Sequence, residues 1–173
     1  RQMCIRDRSS TEGAEECARV ASHTARDYLA ATMDQGLPIN DDDTVTLFER
    51  TFQKAHEAVV SGSGPIGACT LAAAVATHDR IVVGNIGDTR TYWFPDDGDP
   101  IRLSIDDSMA QAQMDLGLSR EEAERGMGAH AITKWIGASA TDVAPRVMAY
   151  QPQQSGWLLV CSDGLWNCLL YTS

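Results

Sequence analysis

The sequence predicts an α+β fold built on antiparallel sheet. Two segments with helical periodicity come first, a strand-rich middle follows, and a short helical stretch interrupts it before the last strands. Helices and strands therefore fall in separate runs, whereas a parallel sheet requires strands that alternate with helices. At 173 residues, the chain is long enough for one domain with a substantial core.

Two amphipathic helices are predicted at the start. The first covers residues 13–35, where small and apolar side chains recur every third or fourth position, and Gly36 and Pro38 end it. The second follows the acidic run 41–43 and carries Phe48 on its apolar face. Acidic side chains in a first turn suit the positive end of the helix dipole, so the run NDDD is interpreted as a cap. A calcium-binding loop is the alternative interpretation.

Two hairpins and a helical insert are predicted next. The runs ACTLAAAVAT and RIVVGNIGD join through the tight turn HDR, and RTYWF joins IRLS through PDDGD. DDSMAQAQMDLG predicts a helix with an Asp N-cap, and SREEAERG predicts another with Ser119 and Glu122 at capping-box spacing. HAITKWIG suits either a helix or a turn. RVMAY and GWLLVCSD are predicted strands on either side of a polar turn.

Composition narrows the possible partners and location. The net charge is −10 at pH 7, so no nucleic-acid partner is expected, because a phosphate backbone attracts basic surfaces. No apolar run approaches the roughly 20 residues of a membrane-spanning helix, and the N-terminus lacks the apolar core of a signal peptide. Cys17, Cys69 and Cys161 lie in apolar patterns without close pairing, which is typical of reduced core cysteines in a cytoplasmic protein.

The two ends of the chain are related at the level of DNA. The tail CLLYTS can be encoded by TGT CTC TTA TAC ACA TCT, and the reverse complement of that string contains codons for Met3 to Asp7 in order. The string resembles a transposon adapter used in sequencing libraries. Residues 1–8 and 168–173 are therefore expected to be translated adapter, and residues 9–167 to be the authentic segment. Source DNA with other codons at either end would contradict this.

Two acidic residues follow apolar strands and stand beside glycine. VVGNIGDTR places Asp88 after Gly87, and WLLVCSDG places Asp163 before Gly164. Hard divalent cations prefer carboxylates on rigid elements, and glycine allows close approach of the backbone. Asp and Gly are also favoured turn residues. From these residues alone, a metal site and two ordinary turns both remain open.

Other catalytic patterns do not occur in the sequence. The four histidines show no metal-binding spacing, and SGSGP follows a helix and lacks the spacing of a hydrolase nucleophile elbow. Neither a Gly-x-x-x-x-Gly-Lys phosphate loop nor a Gly-x-Gly-x-x-Gly fingerprint is present. Three tryptophans are interpreted as core or edge aromatics: Trp135, Trp157 and Trp166.

Five segments align in order with one family over residues 66–167: GACTLAAAVA, VVGNIGDTR, LSIDDSMAQ, AITKWIG and LLVCSDGLWN. On these motifs the chain resembles the bacterial metal-dependent PPM-type Ser/Thr protein phosphatases. GAEECARVAS is similar to the first helix of that family. The resemblance implies an antiparallel β-sandwich of two stacked sheets flanked by helix pairs, incomplete in this chain.

The resemblance also implies the chemistry. Family members hold two Mn²⁺ or Mg²⁺ ions, which activate water for in-line attack on phosphoserine or phosphothreonine. By the family motifs, Asp163 would bind the second ion of this pair and Asp88 a weaker third ion; no catalytic residue beyond the metal ligands is implied. Residues 106–127 would form a flap beside the cleft. The implied partners are Ser/Thr-phosphorylated proteins and an opposing Ser/Thr kinase.

Three family motifs are missing from the sequence: R-x-x-N-Q-D with its phosphate-binding Arg, D-G-x-G-G with its bridging Asp, and the closing D-N acid. All three would lie outside residues 9–167, so truncation at both ends is expected. The parent protein is expected to be a phosphatase, whereas this chain is expected to bind metal poorly and have little activity. The alternative is a non-catalytic PPM-like module that senses a signal or binds a partner.

Overall fold

The structure is a computed structural model that describes residues 2–7, 13–33, 38, 40–62 and 67–170, with side chains described within 13–166. Five helices lie in these ranges: α1 (Ala14–Met33), α2 (Asp41–Gly62), α3 (Met109–Asp115), α4 (Arg120–Arg125) and α5 (Asp163–Leu170). The strands are β1 (Gln2–Asp7), β2 (Ala68–Ala76), β3 (Ile81–Ile86), β4 (Arg90–Pro95), β5 (Ile101–Arg102), β6 (Ile136–Gly137), β7 (Arg146–Tyr150) and β8 (Gly156–Cys161).

The strands form two antiparallel sheets. One has five strands, in the order β1-β2-β3-β7 with β6 paired to the start of β2, and the other has three, in the order β5-β4-β8. Helices α1 and α2 pack against each other and onto the five-stranded sheet. The predicted α+β class with antiparallel sheets is confirmed. In the described part of the chain the long helix pair covers the larger sheet, while Trp157 on the smaller sheet is 78% exposed.

Strand β3 is the centre of the core because both of its faces are buried. Successive side chains of a strand point to opposite faces. Val82 and Ile86 pack in the cluster formed with α1 and α2. Ile81 and Val83 pack in a second cluster with Trp93 of the smaller sheet. The continuous apolar run in the sequence therefore corresponds to a strand covered by helices on one side and by a sheet on the other.

Gly84 allows helix α2 to approach strand β3 closely. A Cβ atom at this position would lie 2.5 Å from Cδ1 of Phe48 and 3.2 Å from Cε2 of Phe52. Both phenylalanines are fully buried on α2. A glycine within a strand is expected where another element approaches this closely.

The helix caps confirm two interpretations and correct one. The Asn40 side-chain oxygen accepts the Asp43 N–H at 2.7 Å, so the NDDD run caps α2. Ser119 and Glu122 form the predicted capping box of α4. The predicted Asp N-cap of α3 is wrong, because Ser108 accepts the Gln111 N–H instead. The two aspartates before Ser108 are engaged elsewhere, as described below.

Two late segments also differ from expectation. HAITKWIG forms neither a regular helix nor a simple turn: Ile132 makes an isolated bridge with Ser108, and β6 pairs with Ala68 and Cys69 at the start of β2. A two-residue strand is too short to have a recognisable sequence period. Strands β7 and β8 flank the predicted polar turn but join different sheets, since β7 pairs with β3 and β8 with β4.

The cysteine and chain-end predictions have different outcomes. Cys17, Cys69 and Cys161 are buried and form no disulfide with one another, as predicted. Residues 2–7 of the predicted adapter segment pair as a strand with β2. Backbone pairing does not report which DNA encodes these residues, so the boundaries 9–167 stay a prediction.

None of the helices in the described ranges combines the length and the apolar character needed to cross a bilayer.

Candidate functional site

Asp88 lies in the tight turn between β3 and β4, which joins the two sheets. Gly87 adopts a φ of +94°, a conformation that side-chain-bearing residues rarely adopt. The Gly87 N–H donates to Asp107 Oδ2 at 3.1 Å, and its carbonyl accepts the Asp107 N–H at 2.8 Å. Asp107 thus holds the residue before Asp88 through two hydrogen bonds.

Asp107 is in turn held by an arginine from strand β7. The Asp107 side chain is 1% exposed, and its Oδ1 accepts Arg146 Nε at 2.9 Å. Arg146 Nη2 also reaches Asp115 Oδ2 at 3.2 Å, at the end of α3. The buried carboxylate therefore has a charged partner, as a buried charge requires. The same arginine ties the helical insert to the turn that carries Asp88.

Asp163 is the first residue of α5 and lies close enough to Asp88 to affect its ionisation. Strand β8 ends at Cys161, so Asp163 begins the next helix instead of ending the strand. Burial, and then the negative charge of Asp163, raise the pKa of Asp88 from 3.8 to about 6. Asp106 contributes in the same direction with a smaller effect, and Arg90 opposes it. The structure therefore brings the two predicted site residues into one electrostatic environment.

A second group of side chains joins the start of β4 to α5. Trp166 Nε1 donates to the backbone carbonyl of Asp88 at 2.9 Å, and the Arg90 guanidinium lies over the Trp166 ring, 3.4 Å from its centroid. Arg90 Nη2 contacts Asp106 Oδ2 at 2.7 Å, and Arg102 Nη2 contacts Asp106 Oδ1 at 2.5 Å. One carboxylate thus compensates two partly buried guanidinium groups.

The donor chemistry at this turn suits a hard divalent cation. Mg²⁺ and Mn²⁺ prefer carboxylate oxygens. A cation would also offset the repulsion between Asp88 and Asp163 that contributes to the raised pKa of Asp88. Over the described residues, no three or more His, Cys, Asp or Glu side chains are arranged as a metal site. The described acids therefore fit such an ion as part of a donor set, and their role as ligands stays a prediction.

Helices α3 and α4 lie within the predicted flap, residues 106–127, and pack together around a small apolar cluster. Ala110, Ala123 and Ala129 form that cluster. Leu116 and Met127 are exposed at its surface, the first by 84%. Asp106 and Asp107 at its start contact the arginines described above, which fixes the base of the insert beside Asp88.

The sequence does not reveal the residues that surround the two acids: Arg90, Arg102, Asp106, Asp107, Arg146 and Trp166. Its pattern predicts only a core or edge aromatic at Trp166 and a helix cap near Asp107. Their contacts join positions far apart in the chain, such as Trp166 and Asp88. The sequence contains one local hint: Arg90 lies three residues after Gly87, and Asp106 two residues before Ser108, so both fall within family motifs. Their positions do not indicate that Arg90 pairs with Asp106.

Comparison with known proteins gives one family match. The family model described as protein phosphatase 2C matches residues 8–172. A curated relative, the serine/threonine phosphatase stp of Listeria innocua, is 26% identical over 167 residues. That alignment covers 90% of this chain and 64% of the relative, so the chain spans less than two thirds of the relative's length.

Solved structures show the same fold. The serine/threonine phosphatase of S. agalactiae superposes with a TM-score of 0.69 at 19% identity, over 96% of this chain and 74% of that protein. The Mycobacterium tuberculosis phosphatase PstP/Ppp gives 0.66 at 23% identity, over 90% and 66%. The catalytic domain of PstP in complex with two manganese ions gives 0.60 at 23% identity, over 90% and 65%. At these identities the likeness concerns the fold.

Proposed function

The chain belongs to the protein phosphatase 2C family, and we propose that it is part of a metal-dependent phosphatase that hydrolyses phosphoserine and phosphothreonine in proteins. The observation that carries the proposal is that Asp163 lies near enough to Asp88 for its negative charge, together with burial, to raise the pKa of Asp88. The curated relative is named a serine/threonine phosphatase, which supports the substrate class.

In this proposal Asp163 and Asp88 are metal ligands. The PstP catalytic domain, which has the same fold, was solved with two manganese ions, and this supports Mn²⁺ or Mg²⁺ as the cofactor. A bound divalent cation lowers the pKa of a water molecule so that hydroxide is available near neutral pH. Asp163 is held by the first turn of α5, and Asp88 by the turn before β4.

The surrounding residues orient these carboxylates. Asp107 accepts the Gly87 N–H and is neutralised by Arg146, so the turn that presents Asp88 has little freedom to move. Trp166 holds the Asp88 carbonyl from α5. Groups that orient ligands in this way are a regular part of metal sites and affect metal affinity strongly.

The proposal concerns a protein longer than this chain. The chain spans 64% of its curated relative, and residues 9–167 are proposed as its phosphatase segment, with adapter-encoded residues at both ends. The further ligands that complete the metal pair would then lie in the missing parts. The complete protein is proposed to act in the cytoplasm, in agreement with three buried cysteines that form no disulfide with one another, and to oppose a Ser/Thr kinase.

The test is an assay on the complete protein, expressed from a gene recovered from the source DNA. Phosphate release from a phosphothreonine peptide is measured with Mn²⁺ and with a chelator. We expect Mn²⁺-dependent release, which Asp163→Ala lowers by about 100-fold or more. Asp99→Ala, at an exposed position in the loop between β4 and β5, is the matched control and is expected to retain activity.

Two results would contradict the proposal. If Asp163→Ala and Asp99→Ala change phosphate release equally, Asp163 is not a metal ligand. No release from the complete protein, together with substitutions in its upstream acidic motifs, would favour the non-catalytic PPM-like module instead.

A further inference from the structure

Trp166 connects the two elements that carry the acidic residues. It lies three residues after Asp163 in α5, and it is 4% exposed. Its Nε1–H donates to the carbonyl of Asp88 at 2.9 Å, and its ring lies 3.4 Å from the Arg90 Cζ atom. One buried side chain therefore contacts both Asp88 and the first residue of β4.

The environment of Trp166 restricts its movement. Arg90 is held over the indole ring by its own ion pair with Asp106, at 2.7 Å. Asp106 also contacts Arg102 of β5, so these ion pairs link Arg90 to a second strand of the smaller sheet. Residues three apart in a helix are neighbours on one face, so Trp166 lies on the same face of α5 as Asp163. A shift of α5 relative to the turn would break the hydrogen bond and the cation–π contact together.

We infer that Trp166 is a positioning residue that sets the separation of Asp88 and Asp163, by holding the Asp88 carbonyl with its N–H and the Arg90 guanidinium with its ring. The inference rests on the proposed function, because the separation matters only if both acids serve one metal centre. Trp166 itself touches neither metal nor phosphate. Replacement of such supporting groups typically weakens metal binding by about 10–100-fold.

The hydrogen bond is tested first on the unmodified 173-residue chain without metal. Proton exchange of the indole N–H groups with water is measured by NMR. We expect the Trp166 N–H to exchange about tenfold more slowly than that of Trp157, whose side chain is 78% exposed. Equal rates would overturn the inference, whatever the metal-binding behaviour.

The positioning role is tested with two matched variants of the same chain. Trp166→Phe keeps an aromatic ring beneath Arg90 but removes the N–H donor, and Trp157→Phe makes the same change at an exposed position. The Mn²⁺ dissociation constant is obtained from paramagnetic broadening of backbone amide signals, which also reports weak binding. We expect Trp166→Phe to raise this constant about tenfold and Trp157→Phe to change it by less than about twofold.

The urea midpoint of each variant shows whether the substitution acts locally or unfolds the protein. If Trp166→Phe does not fold, the indole exchange rate of the unmodified chain tests the inference by itself. Two further variants, Asp88→Asn and Asp163→Asn, distinguish the possible failures. If either lowers Mn²⁺ affinity and folded Trp166→Phe does not, the positioning role alone is overturned. If neither lowers it, the proposed ligand roles of Asp88 and Asp163 are contradicted, and the role of Trp166 with them.

Discussion

The folded protein without metal favours the protonated form of Asp88, whereas the proposed role as a metal ligand requires the ionised form. The pKa of an aspartate in the unfolded chain is near 3.8, whereas burial and the charge of Asp163 raise it to about 6 in the folded protein. The folded state therefore favours the protonated carboxyl. Without metal, the contribution of Asp88 to the free energy of unfolding is most favourable below about pH 4. It decreases between about pH 4 and 6 and stays at the lower value above pH 6.

Asp88→Asn is expected to stabilise the metal-free chain at pH 7. Each pKa unit corresponds to about 1.4 kcal/mol, and because the side chain is only partly buried we expect a net gain of about 1–2 kcal/mol. Urea unfolding with a chelator at pH 4, 5, 6 and 7 measures it. The difference between the variant and the unmodified chain should be smallest at pH 4, where the folded carboxyl is protonated and the unfolded one is only partly ionised. Equal stability at every pH would contradict the assignment.

Asp106 is expected to be important for stability because it compensates both Arg90 and Arg102. Its side chain is 10% exposed and that of Arg90 is 13% exposed. Removing one partner of a buried ion pair leaves an uncompensated charge, so we expect Asp106→Asn to lower the free energy of unfolding by about 3 kcal/mol. Urea denaturation provides the measurement.

The matched control is Glu121→Gln, which makes the same change from carboxylate to amide in the exposed pair with Arg125. An exposed pair contributes about 0–1 kcal/mol. If both substitutions cost the same, the ion pairs of Asp106 are no more important than those at the surface.

At the scale of the elements, helix α2 approaches strand β3 closely at Gly84. Gly84→Ala would place a methyl group 2.5 Å from Phe48 Cδ1. Overpacking of a well-packed core costs about 1–3 kcal/mol, and we expect a loss of that size in urea unfolding. Gly62→Ala is the control, because a Cβ there meets no atom within 4 Å. A loss at Gly84 no larger than that at Gly62 would show that the helix can move away from the strand.

Prediction of the elements succeeded where the local pattern was long. Helices α1 and α2 and the two hairpins follow from periodicity and turn residues, because their signals extend over many positions. Strand β6 and the cap of α3 were not predicted correctly. Ser108 accepts the cap hydrogen bond because Asp106 and Asp107 are bound to arginines of other strands. Such competition between distant partners has no local signature.

Over the whole molecule, the sequence predicted the α+β class and the two acids, but not their surroundings. Asp88 and Asp163 stand beside glycines at element ends, which makes them visible as candidates. Their proximity depends on β4 pairing with β8, which brings Arg90 opposite Cys161. Trp166 reaches Asp88 only through that pairing. The supporting network is thus a product of sheet topology, which residue patterns specify poorly.

We propose that Asp88 and Asp163 belong to one metal centre of a phosphatase. The most direct measurement is an anomalous difference map from crystals of the complete protein soaked in MnCl₂. We expect anomalous peaks within about 2.0–2.5 Å of carboxylate oxygens of both residues. Well-ordered crystals with Mn²⁺ bound elsewhere and no peak at either carboxylate would contradict it.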